Sequence, residues 1–167
     1  MGLNINILQI ALAIGLLSFG VVGDLRSKKV PNQFVLISAG TAIIFVLVTQ
    51  GLPGLLVSVL SLMAGAILIL PLYLMKAIGG GDLKLFLAVS LLMTWQGVLI
   101  SVFGALVWGS LLGIFQVALK GEIKAFLHNL LALFQRVKLQ ETKTHKIPFT
   151  VALLLGYLTS LVWGGTL

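Results

Sequence analysis

Residues 76–86 read KAIGGGDLKLF and lie between two long apolar runs. Three consecutive glycines lead into Asp82, one of only four acidic residues in the chain, and Lys84 follows two positions on. The surroundings make this stretch informative. Of the 167 residues, 59% are hydrophobic and 9% are charged, whereas a soluble domain carries roughly 25% charged residues. Such a chain reads as a polytopic membrane protein of one domain, residues 1–167. It contains no cysteine, which excludes disulfides, cysteine-ligated zinc and a thiol nucleophile.

Working outward from Asp82, apolar runs long enough to form helices fall at 5–23, 34–48, 55–75, 83–93, 98–119 and 149–163. A hydrocarbon core of about 30 Å needs roughly 20 apolar helical residues. The expected fold is therefore all-α, with six transmembrane helices. The first run is not read as a cleavable signal, because it lacks a basic start and a small-residue cleavage site. Gly109 and Gly113 form a GxxxG pattern, with Gly104 and Ala105 above it, and Ser61 and Gly65 share the same spacing. These are expected to be faces where helices pack closely.

The net charge is +7, and its distribution explains it. Arg26, Lys28 and Lys29 follow the first run, and Lys76 and Lys84 flank the glycines. Lys120, Lys124, Arg136, Lys138, Lys143 and Lys146 precede the last run. No Lys or Arg lies elsewhere. With six spans, all three charged segments fall on one side, which the positive-inside rule makes cytoplasmic. Both termini are then expected outside, and a nucleic-acid partner is not needed to explain the charge.

The third charged segment carries a helical stripe of Ile123, Phe126, Leu127, Leu130, Leu131, Phe134 and Val137. This predicts an amphipathic helix over about 121–139, lying in the cytoplasmic interface against anionic lipid. A lid or substrate-docking role is the other reading. His128 reads as a polar-face residue and His145 as a loop residue. Neither has a metal-ligand partner at useful spacing, so no metal or cofactor is expected.

Asp24, Asp82, Glu122 and Glu141 all lie on the basic side. If Trp95 marks the outer interface, Asp82 lies 13 residues below it, or about 20 Å along a continuous helix. That leaves Asp82 inside the cytoplasmic boundary, where a carboxylate is costly unless it faces water or a partner. Alone, Asp82 reads as a helix N-cap after glycines, and Asp24 as a juxtamembrane acid in a basic loop. Together they allow a dyad. Two carboxylates within a few ångströms share one proton. The ionised member polarises a water and the other protonates a carbonyl oxygen. That is aspartic-protease chemistry, and it needs no metal, cysteine or serine. The glycines would let an extended substrate backbone approach.

The segment from Gly79 to Asp82 matches the GxGD signature of intramembrane-type aspartic proteases. The flanks narrow this. DLRSKKVPN, residues 24–32, resembles the first motif of the type IV prepilin peptidases: an aspartate at a helix end, a basic turn, then a hydrophobic residue, proline and asparagine. GGGDLK resembles their second motif, GxGDxK, and IPFTVA, residues 147–152, resembles their proline-led start of the last helix. The resemblance covers essentially the whole chain. It implies an integral membrane aspartic endopeptidase that cleaves the leader of prepilin-like precursors (pilin, pseudopilin, Flp-type or preflagellin) at the cytoplasmic face of the cell membrane. It implies Asp24 and Asp82 as the catalytic pair, with Gly79, Gly81, Lys84, Pro31 and Asn32 in support. Larger members add a cysteine-containing cytoplasmic region and some methylate the new N-terminus. With no cysteine and little chain before the first run, a short form without methyltransferase activity is expected here. Two other readings fit parts of the pattern: a small ion- or proton-coupled transporter, which also uses intramembrane acids and glycine-broken helices, and a non-catalytic scaffold subunit of a pilus or secretion system.

Overall fold

The computed structural model describes residues 2–27, 31–121, 123 and 149–163. The expected amphipathic helix over 121–139 lies almost wholly outside the described residues, as do His128 and His145. Among the described residues the chain is all helical. Helix α1 spans Gly2–Ser27, α2 Asn32–Leu74, α3 Gly80–Ser90, α4 Trp95–Leu119 and α5 Phe149–Val162. Three of these, α1, α2 and α4, are long and apolar enough to cross a membrane. The six separate spans expected from the sequence are thus found in part: α3 and α5 are shorter, and two of the expected spans lie within α2.

At 43 residues, α2 would be about 65 Å long if straight. It is not straight. Gly51 has φ 68° and ψ −161°, a conformation open essentially only to glycine. Pro53 follows in the first turn of the second rod, where a missing N–H is least harmful. The contacts show that the chain doubles back at this break. Asn32, at the start of α2, meets Lys84 near the start of α3, and Tyr73, near the end of α2, lies against Gly80. Between them, Ser58 reaches the opposite end of α3, and Gln50 hydrogen-bonds Gln9 of α1, which itself donates to that end. The connection expected near residues 49–54 is therefore a tight reversal.

Helix α3 has 11 residues, about 16 Å, roughly half the hydrocarbon thickness. Helix ends leave carbonyls without intrahelical partners, and burying them unpaired is costly. Here other helices supply the donors. Ser58 Oγ donates to the Leu91 carbonyl at 2.7 Å, and Gln9 Nε2 donates to the Leu92 carbonyl at 2.7 Å. Gln50 Nε2 in turn donates to Gln9 Oε1 at 3.0 Å. The turn through Leu91, Leu92 and Met93 is accordingly buried. This corrects the expected helix over 83–93 and the depth estimate built on a continuous helix to Trp95. The helix starts earlier, ends at Ser90, and Trp95 opens α4 after a turn capped by Thr94, whose hydroxyl accepts the Gly97 N–H.

Helices α4 and α5 run antiparallel along small residues. A methyl group placed on Gly104 would stand 3.0 Å from the Cα of Gly156, and one on Gly109 3.5 Å from Ala152 and Phe149. Ser101 and Ser160 are hydrogen-bonded across the pair at 3.0 Å. Gly65 packs similarly against Ser90 and Val98. These are the close-packing faces expected at Gly104, Gly109 and Gly65. As a result, the C-terminal ends of α1 and α4, both ends of α2 and the N-terminal ends of α3 and α5 gather at one end of the bundle. Those are the helix ends that border the three basic segments.

Candidate active site

Asp24 lies in the last turns of α1 and is half-buried. The negative end of a helix dipole is an unfavourable place for a carboxylate, so its position there is not explained by helix stability. Just before it in α1, Phe19 stacks on Phe34 of α2 with ring centroids 4.5 Å apart, which pins the start of α2 beside this end of α1. Pro31 caps α2 in an extended conformation (φ −62°, ψ 137°). Asn32 opens the helix, and its Oδ1 accepts a hydrogen bond from Lys84 Nζ at 3.0 Å. The DLRSKKVPN and GGGDLK segments are thereby joined side chain to side chain.

Asp82 is buried, with 7% exposure. It is the third residue of α3, and the N-cap is Gly79; the reading of Asp82 as the cap itself is corrected. The Gly79 N–H donates back to the Asp82 carboxylate, which is one half of a capping box. Gly79 has φ −76° and ψ 149°, ordinary for any residue. What demands glycine there is room: a methyl group on Gly79 would stand 3.1 Å from Asp82 Oδ2. One on Gly80 would stand 3.4 Å from the Tyr73 ring. Gly81 is the second residue of α3. Thr150, on α5, donates through Oγ1 to Asp82 Oδ1 at 2.6 Å, and both groups are buried. The sequence reading did not single out Thr150. Its only local signal is a hydroxyl in the first turn of an apolar helix.

Asp24 lies close enough to Asp82 for the two carboxylates to interact electrostatically. The two acids, separated by nearly sixty residues of sequence, thus lie within electrostatic range of each other, one near the C-terminal end of α1 and the other at the start of α3. Among the described residues, no three His, Cys, Asp or Glu side chains come together as a metal site.

A family model described as the type IV leader peptidase family matches residues 10–114. The chain belongs to the type IV leader peptidase family. Membership carries prepilin-type leader peptidase activity in general terms and, with the apolar helices, identifies a membrane protein. No curated protein and no solved structure matches the chain. The matched stretch includes Asp24, Pro31, Asn32, Gly79, Gly81, Asp82 and Lys84, and it ends before α5 and Thr150.

Proposed function

We propose that this family member is a multi-pass aspartic endopeptidase that cleaves the leader of prepilin-like precursors at the cytoplasmic membrane face. Asp24 and Asp82 are its catalytic pair. The observation that supports this reading is that the two aspartates lie within electrostatic range of each other at the end of the bundle bordered by the basic segments. One aspartate polarises a water and the other protonates the scissile carbonyl oxygen, the exchange that two carboxylates sharing a proton can perform. Half-burial of Asp24 leaves the pair approachable from its side, while Asp82 is held by Thr150 and Gly79.

The bundle end that carries the pair is the cytoplasmic one, because all eleven Lys and Arg lie in the segments bordering it. Gly79 and Gly81 give the start of α3 its close backbone, and Lys84, Asn32 and Pro31 hold the two motif segments in register. The substrate's apolar helix lies in the bilayer with its leader junction at this end. Anionic lipid binds the basic segments.

The test is co-expression of candidate prepilins with wild-type, Asp24→Asn and Asp82→Asn chains. Each variant is expected to accumulate the uncleaved precursor while the wild type processes it. Processing by either variant at the wild-type rate rejects the dyad.

A further inference from the structure

We propose that Thr150 is a positioning residue for the cleavage reaction, fixing the Asp82 carboxylate in the orientation that the pair requires. The inference rests on the peptidase reading above. Its starting point is a contrast among the helical hydroxyls. Ser38, Thr41, Thr49, Ser61, Ser110 and Thr159 each donate to the backbone carbonyl four residues earlier in their own helix. That is the usual use of a hydroxyl within an apolar helix. Ser58 and Ser101 instead donate to a backbone carbonyl and a hydroxyl of other segments, and Thr150 departs further, since its acceptor is a carboxylate. It is the second residue of α5, and its hydroxyl goes to a carboxylate on another helix, 68 positions away in sequence.

The surroundings fix the direction of that hydroxyl. Thr150 is fully buried. Its methyl group lies on the α1 side, where a Cβ built on Gly20 would stand 3.5 Å from Thr150 Cγ2 and would collide with Leu85 of α3. A threonine side chain has few χ1 states, so a methyl group packed toward α1 leaves Oγ1 directed at α3. Gly20 lies one helical turn before Asp24. Thr150 therefore contacts the helix that carries one aspartate and hydrogen-bonds the other aspartate directly.

Asp82 is consequently tethered at two points. Oδ1 accepts from Thr150, and the Gly79 N–H donates to the same carboxylate, with Oδ2 turned toward Gly79. Removing the hydroxyl leaves the side chain free to rotate about the remaining tether. Misplacing a reacting group by about 1 Å costs on the order of a hundredfold in rate. Substrate contacts elsewhere are untouched, so the loss belongs in kcat and not in KM.

The experiment uses the full-length chain in detergent or proteoliposomes with a prepilin substrate, measuring kcat, KM and thermal unfolding for wild type, Thr150→Val and Thr150→Ser. Valine keeps the shape and removes the hydroxyl; serine keeps the hydroxyl and removes the methyl group. The expected result for Thr150→Val is a fall in kcat of about 10- to 100-fold with KM within about twofold of wild type and an unchanged unfolding temperature. Thr150→Ser is expected to retain most of the activity. Wild-type kcat in Thr150→Val, equal loss in Thr150→Ser, or a loss that only tracks the folded fraction each overturns the assignment. A wild-type chain that cleaves no prepilin, with Asp82→Asn indistinguishable from it, instead overturns the peptidase reading on which the assignment depends.

Discussion

At the scale of single residues, the glycines before Asp82 act by taking up little space. Neither Gly79 nor its neighbours in α3 has a positive φ among the described residues, so conformational freedom is not what selects them. Gly79→Ala is therefore expected to leave the fold intact, since alanine suits its backbone angles, but to press on Asp82 Oδ2. Cleavage by this variant should fall by at least about tenfold at unchanged thermal stability, and wild-type turnover would contradict the crowding argument. Much of the candidate site was legible at this scale. Asp24, Asp82, Gly79, Lys84 and Asn32 stand in short motifs whose chemistry is local in sequence. Thr150 was not legible, because what distinguishes it is a partner on another helix. The Lys84–Asn32 hydrogen bond was hidden for the same reason, although both residues were marked.

Among the elements, α3 has the most to explain. A short helix that ends inside a bundle survives only if its last carbonyls find donors. Gln9 and Ser58 provide them. Gln9→Leu leaves the Leu92 carbonyl buried without its donor and also strips Gln50 of its acceptor. A destabilisation of about 1–3 kcal/mol is expected from an orphaned buried group of this kind, read as a lower unfolding temperature in detergent. An unchanged unfolding temperature would show that the turn is held by packing alone. The sequence marked the shortness of this segment and the break near residue 51. It did not mark where α3 ends, since the groups that permit an end at Ser90 come from α1 and α2. Hydrophobicity continues through Leu91, Leu92 and Met93, and so a reading based on apolar runs carries the helix too far.

For the whole molecule, charge and packing agree on one polarity. The helix ends bordering the basic segments gather with Asp24 and Asp82, and the Gln9–Gln50–Leu92 hydrogen bonds lie at the opposite end. In the proposed topology the end bordering the basic segments is cytoplasmic, as the positive-inside rule predicts, and the other end faces outside. Because the chain has no native cysteine, single cysteines can report this in intact cells. Lys76→Cys is expected to resist a membrane-impermeant thiol reagent until the membrane is opened, and Trp95→Cys, at an exposed position, to label from outside. The reverse pattern would invert the topology and move the pair to the other face. The one-sidedness of the charges was readable from the sequence alone, as was the helical class. The connection between the two spans now joined in α2 was readable too; the contacts of Asn32 and Tyr73 with the same end of α3 add that it is a tight reversal at Gly51.

In the proposed mechanism Asp24 and Asp82 form one site in the membrane. The same cysteine-free background permits the most direct test: a chain carrying both Asp24→Cys and Asp82→Cys, with a protease site introduced between them, treated in native membranes with a short bifunctional thiol reagent and then cut. The two fragments are expected to stay joined, at a yield well above that of a control pairing Asp24→Cys with Trp95→Cys. Fragments that separate as completely as in the control would contradict it.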